Sequence, residues 1–148
     1  SGMYRYMLKN EIDTLIPLRD ELAFVGMYTD LLKVRFSCGF EVRTDVPEEF
    51  MSFQVVPCSI QMLVENALKH NRVSPGNPLY IDMVAKDNRF IVTNTISPRM
   101  ASSEESTKVG LNYIRQQYID LSGNDIEVID DGKTYSVSLP LLPVQKTT

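Results

Sequence analysis

The chain has 148 residues, of which 43% are apolar and 23% are charged. These proportions are typical of a folded domain and exclude a disordered or collagen-like chain. The length predicts one domain that can bury enough surface to form a core. The formal net charge of -4 argues against a nucleic-acid-binding protein, which usually carries a basic surplus on its binding face. No apolar run reaches the ~20 residues of a membrane-spanning helix, and no signal-peptide pattern is present.

The cysteine and histidine content restricts the chemistry further. Cys38 and Cys58 fit no metal or redox spacing, so we expect two reduced, buried thiols in a cytosolic protein. His70 is the only histidine, which excludes any reaction or metal site that needs two histidines.

The hydrophobic pattern predicts three main helices and five strands, with no internal repeat. The first helix begins near Leu18, where apolar residues recur at three- and four-residue steps for about five turns. The second follows Pro57, and the third spans residues 109–121. Residues 48–56 and the polar stretch 96–107 are predicted to be loops.

One strand is predicted around residues 40–46, and the other four form two hairpins. Asp87-Asn88 separates two alternating segments and predicts a two-residue turn, and Asp131-Gly132 does the same near the end of the chain. Grouped hairpins with interspersed helices favour an α/β (α+β) two-layer sandwich, with helices on one face of a mixed, mostly antiparallel five-stranded sheet. A doubly wound fold is not predicted because a regular βαβ alternation is missing.

The domain boundaries are predicted from the same pattern. Residues 1–17 are predicted to be an expression-tag remnant and the end of an upstream helix or linker. Residues 18–143 are predicted to form the domain, and residues 144–148 a flexible tail.

Residues 57–71, PCSIQMLVENALKHN, are the most informative segment. On a helix, Met62, Asn66, Lys69 and His70 share one face, because residues three and four apart are neighbours. An amide, an ammonium and an imidazole near a helix end suit a polyphosphate, since an amide oxygen can bind Mg²⁺ and a lysine supplies a compact charge. The spacing alone also fits a solvated polar face without a ligand.

Two later segments could contribute to the same kind of site. Gly110, between Lys108 and Leu111 at a predicted helix start, would let backbone N–H groups approach a phosphate. Asn94 ends a predicted strand, where its amide could read the edge of a base. Taken singly, the first segment also fits an ordinary loop-to-helix junction and the second an ordinary end of a strand.

In this order, the segments resemble the catalytic ATP-binding domain of histidine kinases, and more narrowly that of the LytS/YehU-like sensor kinases. The resemblance covers about residues 18–142. It includes the helix LRDELAFVGMYTDLLKVRF, the closing VSLPLL and the segment PCSIQMLVENALKHN, which is similar to that family's asparagine box, "P.l.lQ.LVENA.KH". The box is specific at this length, and the other pieces support it.

The resemblance implies a Bergerat-type fold in which ATP lies between the sheet and a flexible lid, residues 96–107 here. By position, Asn66 matches the Mg²⁺-binding asparagine, and Asn94 falls where an aspartate normally bonds the adenine amino group. Lys69 and His70 match residues that line the phosphates or sugar, and Gly110 matches the last glycine of the loop around the triphosphate. The implied nucleotide-binding residues are Asn66, Lys69, His70, Asn71, Asn94, Lys108, Gly110 and Leu111, with Asn66 as the metal ligand and ATP and Mg²⁺ as cofactors.

The implied activity is transfer of the ATP γ-phosphoryl group to a histidine on an upstream dimerisation helix, feeding a response regulator. His70 lies in the nucleotide box and is not expected to accept the phosphoryl group, so no catalytic residue is assigned in this chain and it should not phosphorylate itself. The resemblance also implies a homodimeric full-length protein at the inner face of the cell membrane, with this part cytoplasmic and monomeric by itself.

Several residues depart from the family pattern and leave an alternative open. The usual Asp-x-Gly-x-Gly adenine box is replaced by residues 94–97, Asn-Thr-Ile-Ser, and Lys108 replaces the first glycine of the later turn. Tyr113 and Gln117 stand where the family usually has Asn and Arg. The alternative is a degenerate pseudokinase domain that acts by protein–protein contacts without nucleotide. A third interpretation is an unrelated soluble α/β ligand-binding domain with accidental motifs.

Other ATPases share the same fold, and one position separates them from this chain. Gyrase-, Hsp90- and MutL-type enzymes place a water-activating glutamate one turn before the asparagine, where this chain has Met62. A methionine cannot take a proton, so ATP hydrolysis is disfavoured and phosphoryl transfer is preferred.

Overall fold

The computed structural model describes residues 14–97 and 104–144. Predictions for residues 1–13, 98–103 and 145–148 lie outside this part of the chain. The elements, in chain order, are β1 (Ile16–Pro17), α1 (Leu18–Arg35), β2 (Phe40–Asp45), a 3₁₀ turn (Glu48–Phe50), β3 (Gln54–Val55), α2 (Ser59–His70), β4 (Leu79–Lys86), β5 (Arg89–Thr95), α3 (Glu104–Ser122), β6 (Glu127–Asp130) and β7 (Thr134–Pro140).

The main sheet has five strands in the order β2-β4-β5-β7-β6. The β2–β4 pair is parallel and the other three pairs are antiparallel, so the sheet is mixed and mostly antiparallel, as predicted. Alternate residues of β4 and β5 are buried, which shows that one face of the sheet is covered. Val92 of β5, for example, pairs with Met83 on one side and Val137 on the other. The predicted fold class is confirmed.

The hairpin turn between β4 and β5 has the predicted geometry. Asp87 and Asn88 both have positive φ, 53° and 59°. A two-residue turn of this kind matches the right-handed twist of the flanking strands, and aspartate and asparagine tolerate the left-handed region. The register from Lys86↔Arg89 onward follows from this turn.

Three local predictions were wrong. The third helix begins at Glu104, so residues 104–107 are helical although they were predicted to be loop. A second, two-stranded sheet joins β1 to β3, with Ile16 opposite Val55. Strands of two residues are too short to show any alternation in the sequence. Cys38, predicted to be buried, is exposed; it lies in the turn after α1 and has a left-handed φ of 57°.

The faces of α1 also differ from the predicted pattern. Its buried face carries Leu18, Val25 and Leu32, but also the polar residues Glu21 and Thr29. An exposed apolar row runs along another face, formed by Phe24, Met27, Leu31 and Val34. Within the described residues, no helix is both long enough and apolar enough to cross a membrane.

Candidate functional site

The α2 and α3 helices lie side by side and run in opposite directions. Near the C-terminal end of α3, the Tyr118 hydroxyl is 3.0 Å from Ser59 Oγ in the first turn of α2. Nearer the start of α3, a Cβ atom added to Gly110 would lie 3.5 Å from Met62 Cε and 3.7 Å from Asn66 Nδ2. The N-terminal end of α3 therefore lies beside the C-terminal half of α2.

The side-chain amide of Asn66 has unused hydrogen-bonding capacity. Its Nδ2 atom is buried and has no hydrogen-bond partner, one of two such side-chain atoms among residues 14–97 and 104–144. A buried amide group without a partner costs on the order of 1–3 kcal/mol, so such groups usually mark a ligand, water or ion site. Asn66 was the first residue singled out from the sequence, and the structure places it against α3.

Gly110 occupies a different position from the one expected. Because α3 begins at Glu104, Gly110 lies in its second turn and not at its first residues. Its N–H group is inside the helical ladder, so it is not among the free donors of the helix terminus. Gly110 instead faces Met62 and Asn66. Because glycine has no Cβ, space stays open there beside the Asn66 amide. Met62 is itself buried.

The segment that follows β5 is hydrogen-bonded to the C-terminal end of α2. The backbone N–H of Ser97 donates to Asn71 Oδ1 over 2.8 Å, and the backbone N–H of Arg72 donates to the Ser97 carbonyl over 2.7 Å. Asn71 is 6% exposed, and its Nδ2 donates to the Ala67 carbonyl. Both polar atoms of this predicted site residue therefore bond to the chain itself.

Asn94 lies just before that fastened segment. It is 5% exposed, because it continues the buried alternation of Phe90 and Val92 on β5. Its Nδ2 donates to the Thr95 carbonyl over 2.8 Å. The structure thus brings Asn94 to the end of the sheet where β5 leads into the chain segment held by the C-terminus of α2.

The remaining predicted residues lie around the same end. Lys69 is exposed and His70 is half-buried in the last turn of α2, where basic groups also complement the helix dipole. On α3, Lys108 is exposed and Leu111 packs partly against the core. The eight residues predicted from the sequence therefore belong to two helix ends and one strand end that the fold brings together.

The donor set suits a metal ion that shares ligands with a phosphate. No group of three or more His, Cys, Asp or Glu side chains that could hold a metal occurs in the described parts of the chain. A divalent cation here would therefore take most of its oxygen ligands from a polyphosphate and water, as Mg²⁺ commonly does. In Asn66, the oxygen Oδ1 is the atom that could serve as a ligand for such an ion, and the unpaired Nδ2 could donate to a phosphate oxygen.

A buried polar network at the other end of α2 was not predicted. Glu21 of α1 is 2% exposed and accepts three backbone hydrogen bonds: Cys58 N–H to Oε1 (2.9 Å), and Ile60 and Gln61 N–H to Oε2 (3.0 and 3.3 Å). Burial raises the pKa of Glu21, although these three bonds act in the opposite direction. Burial, together with the nearby charge of Glu21, raises the pKa of Cys58 to about 11.

The α3 helix contributes to the same network through Tyr118, which is fully buried. Its hydroxyl accepts a hydrogen bond from the backbone N–H of Val56 over 3.3 Å and also contacts Ser59 Oγ. Ser59 Oγ donates in turn to the Val56 carbonyl. Burial raises the pKa of Tyr118, so it stays a neutral phenol. The one sequence signal for this network was a glutamate at a core position of an amphipathic helix.

The known proteins that the chain resembles in sequence include sensor proteins and sensor kinases. No family model matches the chain. Over 91% of its length, the chain is 27% identical to the sensor protein LytS of Enterococcus faecalis, and it spans 26% of that protein. Over 78% of its length, it is 27% identical to the sensor protein kinase HptS of Staphylococcus aureus and spans 21% of it. Over 47%, it is 39% identical to LytS of Bacillus cereus.

Solved structures share the fold at low sequence identity. The nucleotide-free catalytic domain of histidine kinase ThkA superposes with a TM-score of 0.62 at 16% identity, covering 88% of this chain and 98% of that one. The cytoplasmic segment of histidine kinase QseC gives a TM-score of 0.59 at 16% identity, covering 95% and 89%. The fold is therefore that of histidine kinase catalytic domains.

Proposed function

We propose that this chain, a homologue of the LytS and HptS sensor kinases with the fold of histidine kinase catalytic domains, binds Mg·ATP and serves phosphoryl transfer to a histidine. The observation that carries the proposal is the unpaired, buried Nδ2 atom of Asn66. It lies beside Gly110, at the end of α2 where the predicted phosphate-binding residues gather.

The roles of the residues follow from their chemistry. The oxygen of Asn66 would bind the metal ion, and Lys69 would hold phosphate oxygens as a compact positive charge. When bound, Mg²⁺ supplies neutralisation of the charge on the phosphate oxygens. The N–H groups in the first turn of α3 would add donors for the same phosphates. The protein's task is then mainly to position the nucleotide, since phosphoryl transfer needs little covalent help.

The adenine-binding role falls to Asn94. Its Nδ2 atom already donates to Thr95, so its oxygen would accept a hydrogen bond from the adenine amino group. An amide oxygen lacks the charge of an aspartate, and the bond is accordingly weaker than a charge-assisted one. We therefore expect Mg·ATP binding that is saturable but weaker than in a protein with the aspartate.

The test is a calorimetric titration of the chain with ATP, with and without Mg²⁺, on the wild type and on Asn66→Ala. The affinity of the wild type for ATP should depend on Mg²⁺, because Asn66 is proposed to bind the phosphates through the metal ion. Asn66→Ala should lose that dependence and at least ~100-fold in affinity, since metal sites depend strongly on each ligand.

The matched control is the same substitution, asparagine to alanine, at a position far from the proposed site. Asn124→Ala removes an exposed asparagine at the opposite end of α3 and should bind like the wild type. Wild-type affinity in Asn66→Ala would overturn the role of Asn66. A wild type that binds no ATP at millimolar concentration would overturn the proposed function and leave the pseudokinase alternative.

The proposal extends to the longer protein of which this chain would be a part. The chain spans about a quarter or less of the length of these relatives. We infer a longer protein that dimerises through an upstream helix, carries its phosphoacceptor histidine there, passes the phosphoryl group to a response regulator and lies at the inner face of a membrane. Formation of phosphohistidine from labelled ATP by that longer protein, and its loss in Asn66→Ala, would test the transfer.

A further inference from the structure

The N-terminus of α2 lacks the cap that a helix usually receives from its own sequence. The N-cap residue, Cys58, makes no side-chain capping bond and has a left-handed φ of 66°. The first turn of α2 contains no acidic residue. The free N–H groups of a helix terminus need acceptors when they are buried, so another part of the chain has to supply them.

Glu21 supplies these acceptors from α1, 37 residues earlier in the chain. Its two oxygens take the N–H groups of Cys58, Ile60 and Gln61, and a negative charge at this end also complements the helix dipole. A buried carboxylate is costly unless it is fully hydrogen-bonded. Three bonds to two oxygens fix both the rotation of α2 about its axis and its displacement along α1.

The fixed helix carries Asn66 on the order of 10 Å further along, at ~1.5 Å per residue from Ser59. Asn66 Nδ2 has no hydrogen bond that would hold it in place. The position of its amide therefore depends on where the helix itself lies. A shift of about 1 Å in a group that binds a reacting ligand can cost as much as ~100-fold.

We propose that Glu21 is a positioning residue for the site: its carboxylate in α1 sets the placement of α2 and, through it, of the Asn66 amide. The part concerning nucleotide rests on the proposed function, whereas the part concerning Asn66 does not. The competing view is that Glu21 only stabilises the fold, in which case its loss lowers stability without moving Asn66.

The experiment uses three variants of the chain and two measurements. Glu21→Gln keeps the size but puts an NH₂ donor against backbone N–H groups, and Glu21→Asp keeps the charge on a shorter side chain. Ile126→Ala is the matched control, because it removes a buried side chain beyond the C-terminal end of α3 and lies in neither α1 nor α2. The measurements are the NMR signals of the Asn66 side-chain amide, assigned with Asn66→Ala, and the dissociation constant for Mg·ATP by calorimetry.

Glu21→Gln should move the Asn66 amide signals and weaken Mg·ATP binding about tenfold or more, and Glu21→Asp should restore part of both. Ile126→Ala should leave the signals and the affinity unchanged although its melting temperature falls. If Glu21→Gln does not fold, Glu21→Asp carries the test with the same directions. Unmoved Asn66 signals in a folded Glu21 variant would overturn the inference. If the wild type binds no nucleotide, the proposed function fails and the Asn66 signals alone decide.

Discussion

The two ends of α2 differ in how their polar groups are hydrogen-bonded. At the N-terminal end, Glu21 of α1 accepts the N–H groups of Cys58, Ile60 and Gln61, and Tyr118 of α3 accepts the N–H group of Val56 just before the helix. At the C-terminal end, Asn66 keeps a buried amide nitrogen without a partner and Lys69 is exposed. The backbone donors at the start of α2 are thus satisfied by Glu21, whereas Asn66 keeps a free side-chain donor; Gln61 Oε1, near the start of α2, is a buried acceptor that also has no partner.

This difference predicts that the two ends of α2 contribute differently to the stability of the fold and to ligand binding. Satisfied buried polar groups fix a structure, whereas a buried donor without a partner is a cost that a ligand can remove. We therefore expect substitutions of Tyr118 to act mainly on the free energy of unfolding, whereas substitutions of Glu21 should also act on affinity because Glu21 positions α2. Substitutions at the C-terminal end should act increasingly on ligand affinity.

The largest effect is expected for Tyr118→Ala. It removes a fully buried ring and leaves the Val56 N–H group without its acceptor. We expect the free energy of unfolding to fall by about 3–5 kcal/mol, as for other large-to-small core substitutions. Urea unfolding followed by circular dichroism measures this loss.

A second substitution at the same position separates the hydroxyl from the ring. Tyr118→Phe keeps the packing and removes only the two hydrogen bonds to Val56 and Ser59, which predicts a loss of about 1–3 kcal/mol. A Phe variant as stable as the wild type would show that the hydroxyl does not hold the first turn of α2.

A smaller effect is expected for Asn71→Ala, which lies at the far end of the same helix. It removes the acceptor for Ser97 N–H and the donor to the Ala67 carbonyl. We expect a loss of about 1–2 kcal/mol and faster hydrogen exchange at Ser97, measured by NMR. Arg72→Ala is the control, because Arg72 bonds Ser97 through its backbone, which the substitution keeps. Equal exchange rates at Ser97 in both variants would contradict the fastening role of Asn71.

The parts predicted from the sequence are those that local spacing determines. The turn at Asp87-Asn88 and the amphipathic α2 both follow from residues within a few positions of one another. The grouping of polar residues near Asn66 was predictable for the same reason. Asn94 was predicted as a strand-end residue, and the alternation of β5 explains why it is buried.

The parts that were missed depend on distant residues or on weak patterns. Glu21 bonds a backbone 37 residues away, and no local pattern specifies such a partner. The start of α3 lies in the polar stretch Glu104-Glu105-Ser106, where no apolar period marks a helix. The predicted position of Gly110 at the start of the helix was wrong as a consequence, because α3 begins six residues earlier.

The smallest change in stability is expected for Gly110→Ala, with the opposite sign. The new Cβ would lie at ordinary contact distance from Met62 and Asn66, and alanine favours a helix more than glycine does, so we expect the free energy of unfolding to rise by about 0.5–1 kcal/mol. The same methyl group would cover the Asn66 amide and should weaken Mg·ATP binding. Gly26→Ala in α1 is the matched control, since its added Cβ would meet nothing within 4 Å apart from the adjacent residues and backbone of its own helix, and only the gain in stability is expected. Urea unfolding and calorimetry on both variants would show whether binding and stability separate at Gly110. If Gly110→Ala bound Mg·ATP as well as Gly26→Ala does, the space beside Asn66 would not belong to the nucleotide site.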